Sequence, residues 1–170
     1  FKAEQANVRV DDALTDLKRY MIQKEFGEDG KNDGWRSLKE KAALERDENG
    51  LGLADRVDKD ARRYGGEIAK SLTPEQQQLF NRKALYLYNG NYDQVMGHAF
   101  QQQQQYQKSS IDNRIALAQR AAGLYADNPG MLGTQIEDIS VAVKERGRVG
   151  GWSEQEVIVK TNEETSKAVG

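Results

Sequence analysis

Apolar residues recur at intervals of three and four along most of the chain, the spacing that places side chains on one face of an α-helix. Separate stripes of this kind cover residues 57–72, 111–125, 132–143 and 157–168. Near the amino terminus the spacing is close to a heptad and stops before Gly27, with apolar positions at Ala3, Ala6, Val10, Ala13, Leu17 and Tyr20. No stretch alternates strictly between apolar and polar residues, as a half-buried strand would. The pattern predicts an all-α protein.

Residues typical of helix starts divide these stripes into separate helices. Thr73 has the side chain of an N-cap, Pro74 suits the first helical position, and Gln76 occupies the capping-box position. The Asp-Asn-Pro-Gly run at 127–130 is typical of a turn before another helix. Ser153 follows a Gly-Gly-Trp run and is predicted to be the N-cap of the last helix.

The Asn-Gly pair at 89–90 would ordinarily indicate a turn, but the apolar stripe argues for a continuous helix. Leu85, Tyr88, Tyr92, Val95 or Met96, and Ala99 stay on one face if the helix runs through Gly90, and the same face then reaches Gln103 and Tyr106. A glycine inside a helix costs about 1 kcal/mol relative to alanine, which a packed aromatic stripe can offset. We therefore predict one helix from Pro74 to about Tyr125, at the centre of an elongated bundle of antiparallel helices.

Five consecutive glutamines, residues 101–105, fall in the middle of this predicted helix. Glutamine has a good helix propensity, so a helix is favoured over a disordered tract or a solvent-exposed turn. Gln103 lies on the stripe and is expected to be a buried amide that needs hydrogen-bond partners. A helix with so few charges is expected to be covered by sister helices or by another subunit. The predicted packing or oligomer interface comprises Tyr88, Tyr92, Met96, Phe100, Gln103 and Tyr106.

Composition narrows the classes of protein that fit. The 170 residues suit a single helical module, residues 1–170, and 31% charged against 37% hydrophobic residues suits helices with much exposed surface. The net charge of −2 gives no overall basic field for a nucleic acid, and the lack of cysteine excludes disulfides and thiolate metal sites. No apolar run approaches the length of a transmembrane span. Because the chain begins at Phe1 rather than methionine, we expect it to be a fragment of a longer protein.

Residues capable of catalysis are few. His98 is the only histidine, and no nucleophile motif accompanies it. We expect it to be a surface residue or one with a structural partner. Pairs of acidic residues lie in helices of mixed charge, as on solvated faces. We therefore predict no catalytic residue, no cofactor and no small-molecule substrate.

The segment from Asp29 to Glu40 comes close to a calcium-binding loop, with acids at positions 1, 5 and 12 and Gly34 at position 6. However, Lys31 occupies a ligand position, and Arg36 stands where an aliphatic residue is usual. A Gly/Asp/Asn-rich turn between helices is the favoured interpretation. No metal site is predicted, and calcium binding by this loop is the alternative.

The order of these features resembles a family of phage proteins. A charged amphipathic helix and a Gly-Trp turn at 34–35 come first. They are followed by NGLGLADR (49–56), SLTPEQQQLF (71–80), the long Gln-rich helix, SSIDNRIALAQRAAGLYADNPGML (109–132) and ERGRVGGWSEQEVIVKTNEETSKAV (145–169). Over most of its length the chain is similar to the helical region of bacteriophage internal virion proteins, the ejection proteins released from the capsid with or ahead of the genome.

This resemblance implies a non-enzymatic structural protein, stored in the virion and located in the host periplasm or envelope after ejection. It also implies assembly with further copies of itself and with other ejection proteins into a conduit for genome delivery, with possible indirect proximity to DNA. Some members of the family carry a peptidoglycan-cleaving domain, and no part of these residues resembles one. A non-viral helical adaptor or scaffold for protein–protein assembly fits the apolar stripes equally well and remains the alternative.

Overall fold

The computed structural model describes residues 1–28 and 31–170 of the chain. The described residues are largely helical and contain no strand. They form α1 (Lys2–Phe26), a 3-10 turn (Trp35–Ser37), α2 (Lys41–Leu44), α3 (Leu53–Ala69), α4 (Pro74–Leu124), α5 (Pro129–Gly150) and α6 (Glu154–Val169). The prediction of an all-α bundle around one long central helix is confirmed. The helix continues through Gly90 and through all five glutamines.

The chain divides into two compact units, residues 1–103 and residues 104–170. Helix α4 spans 51 residues and contributes its first part to one unit and its last part to the other. The single module over residues 1–170 stays a prediction.

Side-chain caps fix the helix starts that the sequence predicts. The Thr73 hydroxyl accepts a hydrogen bond from the Gln76 amide at 3.3 Å, and the Gln76 side chain accepts one from the Thr73 amide at 2.9 Å. Ser153 and Glu156 form the same reciprocal capping box at the start of α6. At the start of α5 the Asn128 side chain accepts from the Met131 amide at 3.2 Å. Each cap satisfies backbone donors that the first turn of a helix leaves unpaired.

Two hydrophobic cores hold the first unit together. The first core lies between α1, α3 and the start of α4, and its buried residues include Val10, Leu14, Leu17, Ala61, Phe80, Ala84 and Tyr88. The second core joins the segment after α1 to α3 and to the middle of α4, through Trp35, Ala43, Leu53, Ala54 and Val95. Phe80, Leu17, Val10 and Val95 are fully buried. The heptad-like stripe of the first helix therefore predicts its buried face correctly from Val10 to Leu17.

The second unit packs the end of α4 against α5 and α6. Its core contains Ile111, Ile115, Ala118, Ile139, Ala142 and Val143, with Trp152 and Val157 partly buried against them. Two ion pairs join α4 to α5 at the surface, Arg114 with Glu145 at 3.0 Å and Arg146 with Asp112 at 3.1 Å. No residue of α6 is fully buried.

A close approach between α3 and α4 depends on Gly65. A Cβ atom at this position would lie 1.9 Å from the Tyr88 hydroxyl and 3.1 Å from Cζ of its ring. Tyr88 is 8% exposed and its ring carries the Arg62 guanidinium on one face at 4.7 Å. The ring would therefore have to shift within a packed core. The next residue, Gly66, has open space at the same position.

These neighbouring glycines give a matched test of the packing. We expect Gly65→Ala to lower the free energy of unfolding by about 1–3 kcal/mol, because overpacking outweighs the gain in helix propensity. Gly66→Ala should instead raise it by up to about 1 kcal/mol, since only the propensity term remains. Urea unfolding followed by circular dichroism measures both, and equal effects from the two variants would contradict the described contact.

Candidate functional site

The buried face of α4 in the first unit follows a heptad spacing of its own. Its residues are separated by four, three, four, three and four positions, and they are Ala84, Tyr88, Asn91, Val95, His98 and Gln102. Three of these six side chains are polar. The middle of the central helix therefore turns polar groups, as well as apolar ones, toward the interior of the unit.

This face corrects the stripe predicted from the sequence. Leu85 is 46% exposed, Met96 48% and Tyr106 40%, and Gln103 is also exposed. The buried amide is Gln102 and not Gln103. The predicted face was displaced by one residue because a polarity pattern assigns Asn91, His98 and Gln102 to solvent. His98 and Gln102 are buried instead, and each forms a hydrogen bond to the backbone of the segment that follows α1.

His98 connects α4 to the segment that follows α1. Its Nε2 lies 2.8 Å from the Leu38 carbonyl oxygen, and since a carbonyl can only accept, Nε2 donates this hydrogen bond. The imidazole also meets the Trp35 ring edge-on, with 5.5 Å between ring centroids. His98 is 5% exposed. It is thus a residue with a structural partner, one of the two outcomes that the sequence suggested.

Gln102 makes the second connection to the same segment. Its side-chain oxygen accepts a hydrogen bond from the Glu40 amide at 2.8 Å. Glu40 has φ 46° and ψ −122°, a conformation that residues with a Cβ atom rarely adopt. Backbone strain of this kind costs on the order of 1–3 kcal/mol and persists where surrounding contacts hold it. The Gln102 bond is one of the contacts that hold Glu40, just before α2 begins.

The loop with partial similarity to a calcium site begins outside the described residues, at Asp29 and Gly30. Among the described residues of this loop, Arg36 donates to the Glu25 carboxylate and lies over the Trp35 and Phe26 rings, at 4.8 and 5.7 Å. Leu38 is extended, so no helix continues from the 3-10 turn at this point. Nowhere in residues 1–28 and 31–170 do three His, Asp or Glu side chains form a group that could hold a metal ion.

The NGLGLADR segment is held by hydrogen bonds that involve Glu45 and Asp47, just before it, and its own Arg56. The Asp47 carboxylate accepts hydrogen bonds from the Asn49 and Leu51 amides at 2.9 and 2.8 Å. Arg56 donates to the carbonyl oxygens of Glu45 and Leu51, each at 2.8 Å. These bonds close the loop before α3 and give Asp47 and Arg56 a structural role.

A groove of about 320 Å³ lies between α4 and the residues around α2 and the start of α3. Its α4 wall is formed by Tyr92, Met96, Ala99, Phe100 and Gln103. All of these except Ala99 belong to the predicted interface. The opposite wall includes Ala43, Leu44, Arg46, Leu53, Ala54 and Asp55. Phe100 is 60% exposed and Met96 48%. We name this feature the α4 groove.

The structure brings together only part of the predicted interface. Tyr92, Met96, Phe100 and Gln103 share the α4 groove, whereas Tyr88 is buried in the first core. Tyr106 belongs to the second unit and is exposed. Within the groove the Tyr92 hydroxyl donates to the Asp55 carboxylate at 3.2 Å, and the negative charge of Asp55 raises the pKa of Tyr92. The role of these residues in an interface between subunits stays a prediction.

A second polar cluster joins α1 to α3. The Tyr20 hydroxyl donates to the Asp60 carboxylate at 2.5 Å, its ring stacks on Tyr64 with centroids 3.8 Å apart, and Arg63 donates to Asp60 at 2.9 Å. Burial raises the pKa of Tyr20 to about 12, reinforced by the hydrogen bond to Asp60 and its charge. Burial also opposes ionisation of Asp60, but the hydrogen bonds from Tyr20 and Arg63 outweigh it and lower the pKa of Asp60. Within the cluster the Asp60 carboxylate is paired with Arg63, and its hydrogen bond from Tyr20 links α1 to α3.

Comparisons with protein-family models, curated proteins and solved structures gave no match for this chain. Within the described residues, no helix combines the length and the apolar character needed to cross a bilayer.

The burial of Gln102 can be tested against that of its neighbour. Replacing Gln102 with Ala removes an acceptor for the strained Glu40 backbone and some buried packing, and we expect a loss of about 1–3 kcal/mol in the free energy of unfolding. Gln103→Ala, at an exposed position of the same helix, should change it by no more than about 0.5 kcal/mol. Urea unfolding measures both changes. A larger loss from Gln103→Ala than from Gln102→Ala would contradict the burial of Gln102 and favour the face predicted from the sequence.

Alkaline pH tests the contact between Tyr20 and Asp60. A tyrosine whose pKa rises on folding contributes stability below its unfolded pKa of about 10, and this contribution is lost as pH rises toward about 12, where folded Tyr20 ionises. We expect Tyr20→Phe to weaken the fall in stability over this range, whereas Tyr86→Phe, at a 79% exposed position, should leave it unchanged. Urea unfolding at a series of pH values checks this. A difference between wild type and Tyr20→Phe that stays constant with pH would contradict it.

Proposed function

We propose that this chain is a non-enzymatic structural module of a bacteriophage internal virion protein. In this role it is stored in the virion and, after ejection, contributes to a conduit for genome delivery across the host periplasm and envelope. It assembles with further copies of itself and with other ejection proteins, which brings it into indirect proximity to DNA.

The uncharged middle of α4 carries the proposal. From Gln94 to Gln107 the helix has no acidic residue, lysine or arginine over 14 residues, in a chain where 31% of residues are charged. His98 within this stretch is buried, while Met96 and Phe100 are largely exposed. Interfaces between proteins are depleted in charged residues at their centre and enriched in aromatic residues and methionine. An assembly surface accounts for this composition better than a solvated helix face.

The structural use of the sole histidine supports the non-enzymatic part of the proposal. His98 is buried, donates to a backbone carbonyl and packs on Trp35, so it is occupied by contacts that hold the fold. The acid and tyrosine of the Tyr20 cluster are likewise bonded to each other. A net charge of −2 gives the chain no overall basic field that would hold a nucleic acid.

Mass spectrometry of purified phage particles tests the assignment directly. Trypsin cleaves after Lys83 and Lys108, so the uncharged stretch lies on the single peptide 84–108, which identifies this segment. We expect this peptide in intact virions and a large reduction of it in particles that have ejected their genome. The major capsid protein, which stays with the particle, is the internal control.

Two outcomes would contradict the proposal. If the peptide were absent from intact virions of a phage that encodes the chain, the chain would not be a virion component, and the non-viral adaptor or scaffold would become the better assignment. If the peptide stayed at full level in emptied particles, the chain would be a fixed part of the capsid or tail and not an ejected protein.

A further inference from the structure

The α4 groove combines a cavity with projecting side chains on one surface. Met96 and Phe100 are four residues apart and therefore lie on the same side of the helix, where they form part of the groove wall and also extend into solvent. The opposite wall supplies Leu44, Leu53 and Ala54. A partner that fits this surface must offer both an apolar side chain for the groove and a place for Phe100.

Charge restricts the kind of partner. The helix wall of the groove carries no charged side chain, and the other wall carries one of each sign, Arg46 and Asp55. A strongly acidic or basic partner would have to be desolvated here without compensation. The partner surface must therefore be as uncharged as this one.

Three of the other helices carry charged pairs on their exposed faces. Exposed ion pairs within one helix occur on α1, α3 and α6, for example between Arg62 and Asp58 and between Lys160 and Glu163. The middle of α4 is different, and a second copy of the chain presents the same uncharged face. A surface that bears both a groove and its own projecting residue satisfies the requirement for a two-fold interface, in which the same patch is used on both subunits.

We propose that a second copy of this chain docks on the α4 groove, so that Phe100 of each copy enters the groove of the other. This inference rests on the proposed function, since it names the surface through which the virion protein self-associates. The contact uses one helix face and one groove, so we expect a weak association whose dimer fraction rises with concentration between about 1 µM and about 1 mM.

Analytical ultracentrifugation of the wild type and two variants tests the contact. Phe100→Glu places a charge in the groove of the partner and should weaken dimerisation by at least about tenfold. Leu117→Glu is the matched control, an apolar-to-acid change at a 65% exposed position of the same helix, and should dimerise like the wild type. Circular dichroism establishes that each variant keeps its helical content.

Cross-linking locates the contact independently. The chain has no cysteine, so single cysteines report cleanly on their surroundings. Under mild oxidation we expect Gln103→Cys, on the groove wall, to form disulfide-linked dimers, and Gln78→Cys, at an exposed position in the first turns of α4, to stay largely monomeric.

The possible results separate this inference from the proposed function. A wild type that is monomeric over the whole concentration range overturns the docking of a second copy, while the presence of the chain in virions is still decided by mass spectrometry. A dimer that Phe100→Glu leaves intact, with no cross-link through Gln103→Cys, overturns the α4 groove as its site but agrees with a self-associating virion protein.

Discussion

The two hydrogen bonds from α4 to the backbone around Leu38 and Glu40 are the constraint on which much of the first unit depends. They hold the segment between α1 and α3 against the helix, where Trp35 and Ala43 complete the second core with Val95. One wall of the α4 groove is formed by residues of this segment, including Ala43, Leu44 and Arg46, and by the start of α3. Without these bonds, polar groups of α4 would face an apolar core unpaired, and buried polar groups without partners are costly.

Strain and hydrogen bonding are coupled at the start of α2. Glu40 adopts a positive φ that favours glycine, and its amide is bonded to Gln102. A polar residue within the buried face of a helix thus stabilises a backbone conformation that the local sequence would not choose. The indole Nε1 of Trp35, buried nearby, has no hydrogen-bond partner among the described residues. The segment is held by packing, by its bonds to α4 and by the ion pair between Arg36 and Glu25 of α1.

Charge is distributed unevenly over the molecule, and this distribution links the fold to the proposed assembly. Ion pairs at i,i+3 or i,i+4 cover exposed positions of α1, α3 and α6, where each contributes little to stability but keeps the surface solvated. The middle of α4 lacks such pairs and exposes Met96 and Phe100. Removing an uncharged helix surface from water costs less than removing a charged one, and the proposed assembly uses this difference.

The sequence by itself determined the long helices of this protein, because helix periodicity, caps and turn residues act over a few positions. It predicted the start of α4 at Pro74, its continuation through Gly90 and the glutamines, and the capping of α6 by Ser153. Only the tertiary structure decided which side of α4 is buried. The partners of His98 and Gln102 are about 60 residues away in the chain, and a polarity pattern contains no record of such bonds. The buried face therefore differs from the predicted one by one residue, with His98 and Gln102 inside and Met96, Phe100 and Gln103 at the surface.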